Sequence, residues 1–112
     1  MSDPTVLRDN NRAFTEERDW VKFHDPKSLL LALVGEVGEL TELFQWLPAA
    51  ARAQEDPLHT QAGEELADVL IYVVRLADIL NIDLSEAAFR KLNGSSTRYP
   101  ADQFRGRAPE KT

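Results

Sequence analysis

The chain has 112 residues, 43% of them hydrophobic and 29% charged, with a net charge of −6; this is ordinary globular composition, with room for one core and not two. The acidic balance, without a basic stripe, excludes a nucleic-acid polymer as partner, but a small phosphorylated ligand stays possible because a cation held by carboxylates reverses the local field. Cysteine is absent, which excludes disulfides, thiolate metal sites and cysteine nucleophiles. The N-terminus, MSDPTVLRDNNR, has no apolar leader region, and the longest apolar runs, Leu29 to Val34 and Val69 to Val74, are too short to span a bilayer. A cytoplasmic, single-domain protein without a membrane partner is expected, its helical core at about 4–98 and a polar tail at about 99–112.

A first helix is predicted from about Pro4 to Phe23, with Asp3 as N-cap and Pro4 at the first helical position. Two heptad-spaced rows, Val6, Ala13 and Trp20 beside Leu7, Phe14 and Val21, give it an apolar face. His24, Asp25 and Pro26 form a turn in which Asp25 caps a second helix, which Pro48 stops at about Leu47.

The second helix carries LLLALVGEVGELTELFQW, Leu29 to Trp46. At about 100° per residue Glu36 falls on the line of Leu29, Leu40 and Leu43, in the middle of an apolar stripe. Glu39 is its neighbour one turn on. A carboxylate there needs a partner, because an unpaired buried charge is costly or takes up a proton. Gly35 and Gly38, unfavourable inside a helix, suggest close approach of another backbone or a ligand.

After an alanine-rich connection, PAAARAQEDPLHT, with room for a short helical piece before Pro57, a third helix is predicted from about Thr60 to Asn81. Glu65, Asp68, Tyr72, Leu76 and Ile79 share one of its faces, while Glu64, Arg75 and Asp78 lie on a more polar side. Two helices that each present an i,i+3 acid pair, Glu36/Glu39 and Glu65/Asp68, can bring four carboxylates into one pocket. Such a cluster calls for protonation or a cation, and all-oxygen ligation points to Mg²⁺, with Mn²⁺ as substitute. Acidic pairs are common on solvated helix faces; it is their repetition on successive helices, among apolar residues, that favours a metal site.

Asp83 with Glu86 is a capping-box-like start for a fourth helix, LSEAAFRKL, expected to end near Asn93-Gly94. No strand-like alternation or repeat occurs, so the fold class is all-α, a four-helix bundle. A di-iron bundle would need Glu-x-x-His on two helices; His24 and His59 lack that spacing from the acids and read as turn residues.

The strings FTEERDWVKFHDPKSLLLALVGEVGELTELFQW, EELADVLIYVVRLADILNIDL and the RYP after Lys91 resemble the MazG-like all-α nucleotide pyrophosphohydrolases, and among these the dCTP pyrophosphatase branch. The resemblance implies Mg²⁺-dependent hydrolysis of a deoxynucleoside triphosphate, dCTP or a modified dCTP, to monophosphate and pyrophosphate, in a role that cleans the nucleotide pool. It gives Glu36, Glu39, Glu65 and Asp68 the metal-ligand positions, with Glu39 or Glu36 as catalytic acids and Glu42 as a further acid. Trp20, Trp46, Asn11 and Tyr72 take base and sugar positions, and Lys91, Arg98 and Ser95 phosphate or sugar positions. Asn11 stands where the dCTP-specific branch tends to have His, and Ser95 where relatives usually have Asn, so the base is left open. The family also implies a homodimer or homotetramer. The alternative from another class is a non-catalytic helical module that binds nucleotide or a protein partner.

Overall fold

The computed structural model describes residues 3–109. Every regular element among them is helical: α1 (Pro4–Glu17), a 3₁₀ turn at Val21–Phe23, α2 (Pro26–Phe44), α3 (Leu58–Ile79), α4 (Leu84–Arg98) and α5 (Ala101–Phe104). No described helix is long and apolar enough to cross a membrane. The elements form two compact units, one up to Ile82 and one from Asp83 onward.

Three of the helix starts are encoded locally. Asp3 accepts the amides of Thr5 and Val6, Asp25 that of Ser28, and Asp83 that of Glu86, each holding donors that have no partner inside the helix. α1 ends earlier than its apolar rows suggest. Asp19 adopts φ 54°, and the amides of Asp19 and Trp20 turn back to the carbonyls of Glu16 and Thr15 at 3.1 and 2.9 Å. These paired bonds are a Schellman stop. Trp20 and Val21 therefore leave the helix, and the heptad rows do not continue through them.

In the first unit, α2 and α3 pack along one another and α1 lies on α3. α2 and α3 run antiparallel: Glu36 meets Glu65 and Asp68, while the later residues Leu40 and Phe44 share a groove with the earlier Ala62 and Leu66. Leu29, Ala62, Val74 and Ala77 are the buried apolar core. Much apolar surface is left outside, including Leu31 at 65% and Val34 at 67% exposure. A Cβ added to Gly35 or Gly38 would meet nothing within 4 Å, so within one chain no backbone crowds them.

α3 ends in a second Schellman stop, with Asn81 at φ 57° and the amides of Asn81 and Ile82 bonded to the carbonyls of Asp78 and Ala77. In the second unit α4 runs past Asn93 and Gly94 to Arg98, longer than its glycine suggests. The hydroxyls of Ser95, Ser96 and Thr97 donate to the carbonyls of Lys91, Leu92 and Asn93, which satisfies these side chains without leaving the helix. Past it, α5 occupies part of the polar tail, with Tyr99 and Phe104 edge to face at 5.2 Å. No helix forms at residues 48–56.

Candidate functional site

Glu36 from α2 and Glu65 and Asp68 from α3 each bring one carboxylate oxygen to within 4.8 Å of the others. The apolar stripe carries Glu36 inward with Leu29, and the i,i+3 spacing on α3 puts Glu65 and Asp68 on the facing side. Glu36 Oε2 and Glu65 Oε2 are buried and have no hydrogen-bond partner. Buried polar atoms are almost always paired, so the two orphaned oxygens need a donor or a cation. Glu39 lies near both, and its negative charge acts on Glu36 and on Glu65. It stays outside the close set of three, and Glu42 is an exposed residue near the end of α2.

Burial, then the neighbouring Glu39 and Asp68 charges, raises the Glu36 carboxyl above its ordinary value. Burial and Glu39 raise Glu65 likewise. Carboxylates gathered this closely, with Glu36 and Glu65 resisting ionisation, are a donor set suited to a hard divalent ion, which removes the repulsion and satisfies the orphaned oxygens.

Next to the acids lies a cavity of about 240 Å³ whose lining includes Glu36, Asp68, Asn11, Trp20, Tyr72 and Phe14. Pockets for whole drug-sized ligands start at about 300 Å³, so this one suits part of a ligand, such as a flat ring. Trp20 meets Phe14 edge to face, with ring centroids 5.7 Å apart, and the Schellman turn holds it at the cavity. Asn11 Nδ2 donates to the Ile71 carbonyl at 3.2 Å.

The structure thus brings Glu36, Asp68, Trp20, Tyr72 and Asn11 together on one cavity, with Glu65 in the adjoining carboxylate set. Trp46 is not among its lining residues; it follows α2 and is 88% exposed. Lys91 and Arg98 lie in the second unit, where with Arg90 and Thr97 they line a groove along α4 of about 570 Å³. The Ser95 hydroxyl is committed to the Lys91 carbonyl at 3.1 Å.

Two residues of the cavity differ from what the sequence suggests. His24, expected as a turn residue, lines the cavity, and so does Arg75. Arg75 is only 4% exposed, although its side of α3 reads as polar. It is buried with its compensation: Nε donates to His24 Nδ1 at 3.0 Å and NH1 to Asp78 Oδ2 at 3.0 Å. Asp78 is held in turn by a fork from Arg12 of α1, whose Nε lies 3.0 Å from Oδ2. The i,i+3 pairing of Arg75 with Asp78 was the available signal; the partners on α1 and in the turn were not readable from it.

Acids of two antiparallel helices thus converge beside a small aromatic cavity. A family model described as the MazG nucleotide pyrophosphohydrolase domain matches residues 24–101. The chain belongs to this family. It is 46% identical over 112 residues to dCTP pyrophosphatase 1 of Bos taurus, covering 96% of this chain and 66% of that protein. Against dCTP pyrophosphatase 1 of Homo sapiens it is 47% identical over 104 residues, covering 88% of this chain and 61% of that one. It therefore spans less than two thirds of the length of these curated relatives. A crystal structure of a pyrophosphatase from Archaeoglobus fulgidus superposes with a TM-score of 0.76 at 37% identity, over 86% of this chain and 91% of that one.

Proposed function

We propose that this MazG-family chain hydrolyses a deoxynucleoside triphosphate, dCTP or a modified dCTP, to the monophosphate and pyrophosphate, in keeping with a role in cleaning the nucleotide pool. The observation that carries the reading is the pair of buried, unpartnered oxygens, Glu36 Oε2 and Glu65 Oε2, beside Asp68. They fit a Mg²⁺ site, with Mn²⁺ as substitute, and Glu39 completes the acidic set. When bound, the ion supplies a Lewis acid that neutralises charge on the phosphoryl oxygens and acidifies water.

The chain's own residues do the remainder. Water attacks the α-phosphorus, a new P–O bond forms, and the bond to the bridging oxygen breaks with pyrophosphate as leaving group. Glu39, whose charge acts on both Glu36 and Glu65, accepts the proton from the attacking water, with Glu36 beside it as the second acid. Trp20 and Tyr72 hold the base and sugar in the cavity and exclude water, with Asn11 at the base. Lys91 and Arg98 are assigned to the phosphates on the family resemblance and on the cationic face they share on α4. Ser95, tied to its own helix, offers less than an Asn would.

We also infer a homodimer or homotetramer. Leu31, Val34, Leu66 and Trp46 are 65%, 67%, 55% and 88% exposed, more apolar surface than a monomer of this size usually leaves in water. A second copy would cover them and give Trp46 an environment. Sedimentation at micromolar concentration checks this, and a monomer alone would contradict it. The activity is tested by a panel of deoxy- and ribonucleoside triphosphates with and without Mg²⁺. Stabilisation by nucleotide without product release would favour a non-catalytic binding module instead.

A further inference from the structure

We propose that Arg75 is a positioning residue that locks His24 in its Nε2–H tautomer, and that His24 then donates from Nε2 to an in-plane acceptor atom of the nucleobase in the aromatic cavity. The second half rests on the nucleotide reading above; the first stands on geometry alone.

A guanidinium has donors only. Since Arg75 Nε donates to His24 Nδ1 at 3.0 Å, Nδ1 must present its lone pair, and the proton of a neutral ring is on Nε2. The arrangement is fixed from behind. Arg75 NH1 is held by Asp78 Oδ2 at 3.0 Å, and Asp78 by the Arg12 fork, so the guanidinium has little freedom to turn away. His24 itself is tied through its amide to the Val21 carbonyl at 3.0 Å and is followed at once by Asp25, the cap of α2. Burial, and then the Arg75 charge, lower the His24 pKa, which favours the neutral ring near pH 7.

Nε2 forms no hydrogen bond with any described residue, while His24 lines the cavity. An N–H beside Trp20 and Tyr72 is suited to reading a ring edge, not a phosphate, because the neutral imidazole carries no charge to offer an anion. Asn11 supplies the complement. Its amide N–H is used on the Ile71 carbonyl, which leaves Oδ1 as an acceptor. A cytosine-type base has partners for both, N3 or O2 for the donor and the 4-amino group for the acceptor.

The test begins with the full chain free of nucleotide at pH 7, its histidine rings read by long-range ¹⁵N–¹H correlation. The expected result is His24 with its proton on Nε2, a preference lost in Arg75→Met; a proton on Nδ1, or a doubly protonated ring in the wild type, overturns the lock. Adding dCMP should move the Nε2–H signal downfield, and an unmoved signal at saturating dCMP overturns the base contact, whether or not the chain hydrolyses anything. With dCTP and Mg²⁺, His24→Phe should lose about tenfold in kcat/KM, mainly through KM, and His24→Gln, which returns an N–H at similar reach, should recover most of it. An abasic deoxyribose triphosphate should be hydrolysed equally by wild type and His24→Phe. Equal losses on both substrates would mean a structural role and overturn the proposal. Failure of every triphosphate to react would remove the hydrolase reading while the two spectroscopic results still decide this one.

Discussion

Arg12 of α1 closes a two-point fork onto Asp78 of α3, with Nε 3.0 Å from Oδ2, across 66 residues of sequence. The same carboxylate takes Arg75 NH1, so one acid joins two helices and neutralises a guanidinium that is 4% exposed. Removing that acid leaves the buried Arg75 charge without compensation. Asp78→Asn is expected to lower the unfolding free energy by roughly 3 kcal/mol, read as a fall in the urea midpoint with an unchanged slope.

The pH dependence follows from the same residue. The hydrogen bond from Arg12 is the largest cause that holds the Asp78 carboxyl below its ordinary value of 3.8, and the Arg12 and Arg75 charges add to it. A carboxyl with a depressed folded pKa contributes stability that is fully present above its unfolded value and is lost as pH falls through the folded one. Urea midpoints of the wild type should therefore drop below about pH 4 more steeply than those of Asp78→Asn. Parallel curves would remove Asp78 from the account.

Glu36 carries the opposite sign. Burial and the Glu39 charge raise its carboxyl above 4.5, so the folded state binds more protons than the unfolded one there, and the metal-free chain loses stability as pH rises from that value through the raised one. Glu36→Gln is expected to melt higher than the wild type at pH 7 without metal, and to lose the stabilisation that Mg²⁺ gives the wild type. A thermal-shift series with and without Mg²⁺ reads both effects. A mutant that melts lower and still responds to Mg²⁺ would count against the site.

Gly38 separates the free chain from an assembly. A Cβ there meets nothing within 4 Å, so in an isolated chain Gly38→Ala should stabilise α2 by up to about 1 kcal/mol through helix propensity. If a second copy packs on this stretch, the gain shrinks or reverses and the sedimentation coefficient changes. Melting and sedimentation of this one variant at two protein concentrations check the point.

What the sequence made legible is local or periodic. Asp3, Asp25 and Asp83 announce helix starts because a cap acts on amides two or three residues away. Glu36 announces the acidic cluster because its place in the stripe contradicts its charge. Other features depend on distant contacts or on conformations that composition does not mark. The end of α1 rests on Asp19, a non-glycine at φ 54°, and α4 continues past Gly94 with three hydroxyls satisfied by bonding back along it. Arg75 reads as surface, since His24 and Arg12, which make its burial tolerable, are 51 residues from it and, through Asp78, on another helix. Spacing alone also treats Glu36 and Glu39 alike, whereas only Glu36 joins Glu65 and Asp68 within 4.8 Å.

The most direct test of the central claim is product analysis of the purified chain with dCTP and Mg²⁺, beside Glu36→Gln and Asp68→Asn. The account predicts dCMP and pyrophosphate in equal amounts from the wild type, no turnover without a divalent ion, and a loss of at least a hundredfold (about 2.7 kcal/mol) in either variant that retains its fold. Release of orthophosphate in place of pyrophosphate, or near-normal rates from both folded variants, would contradict it.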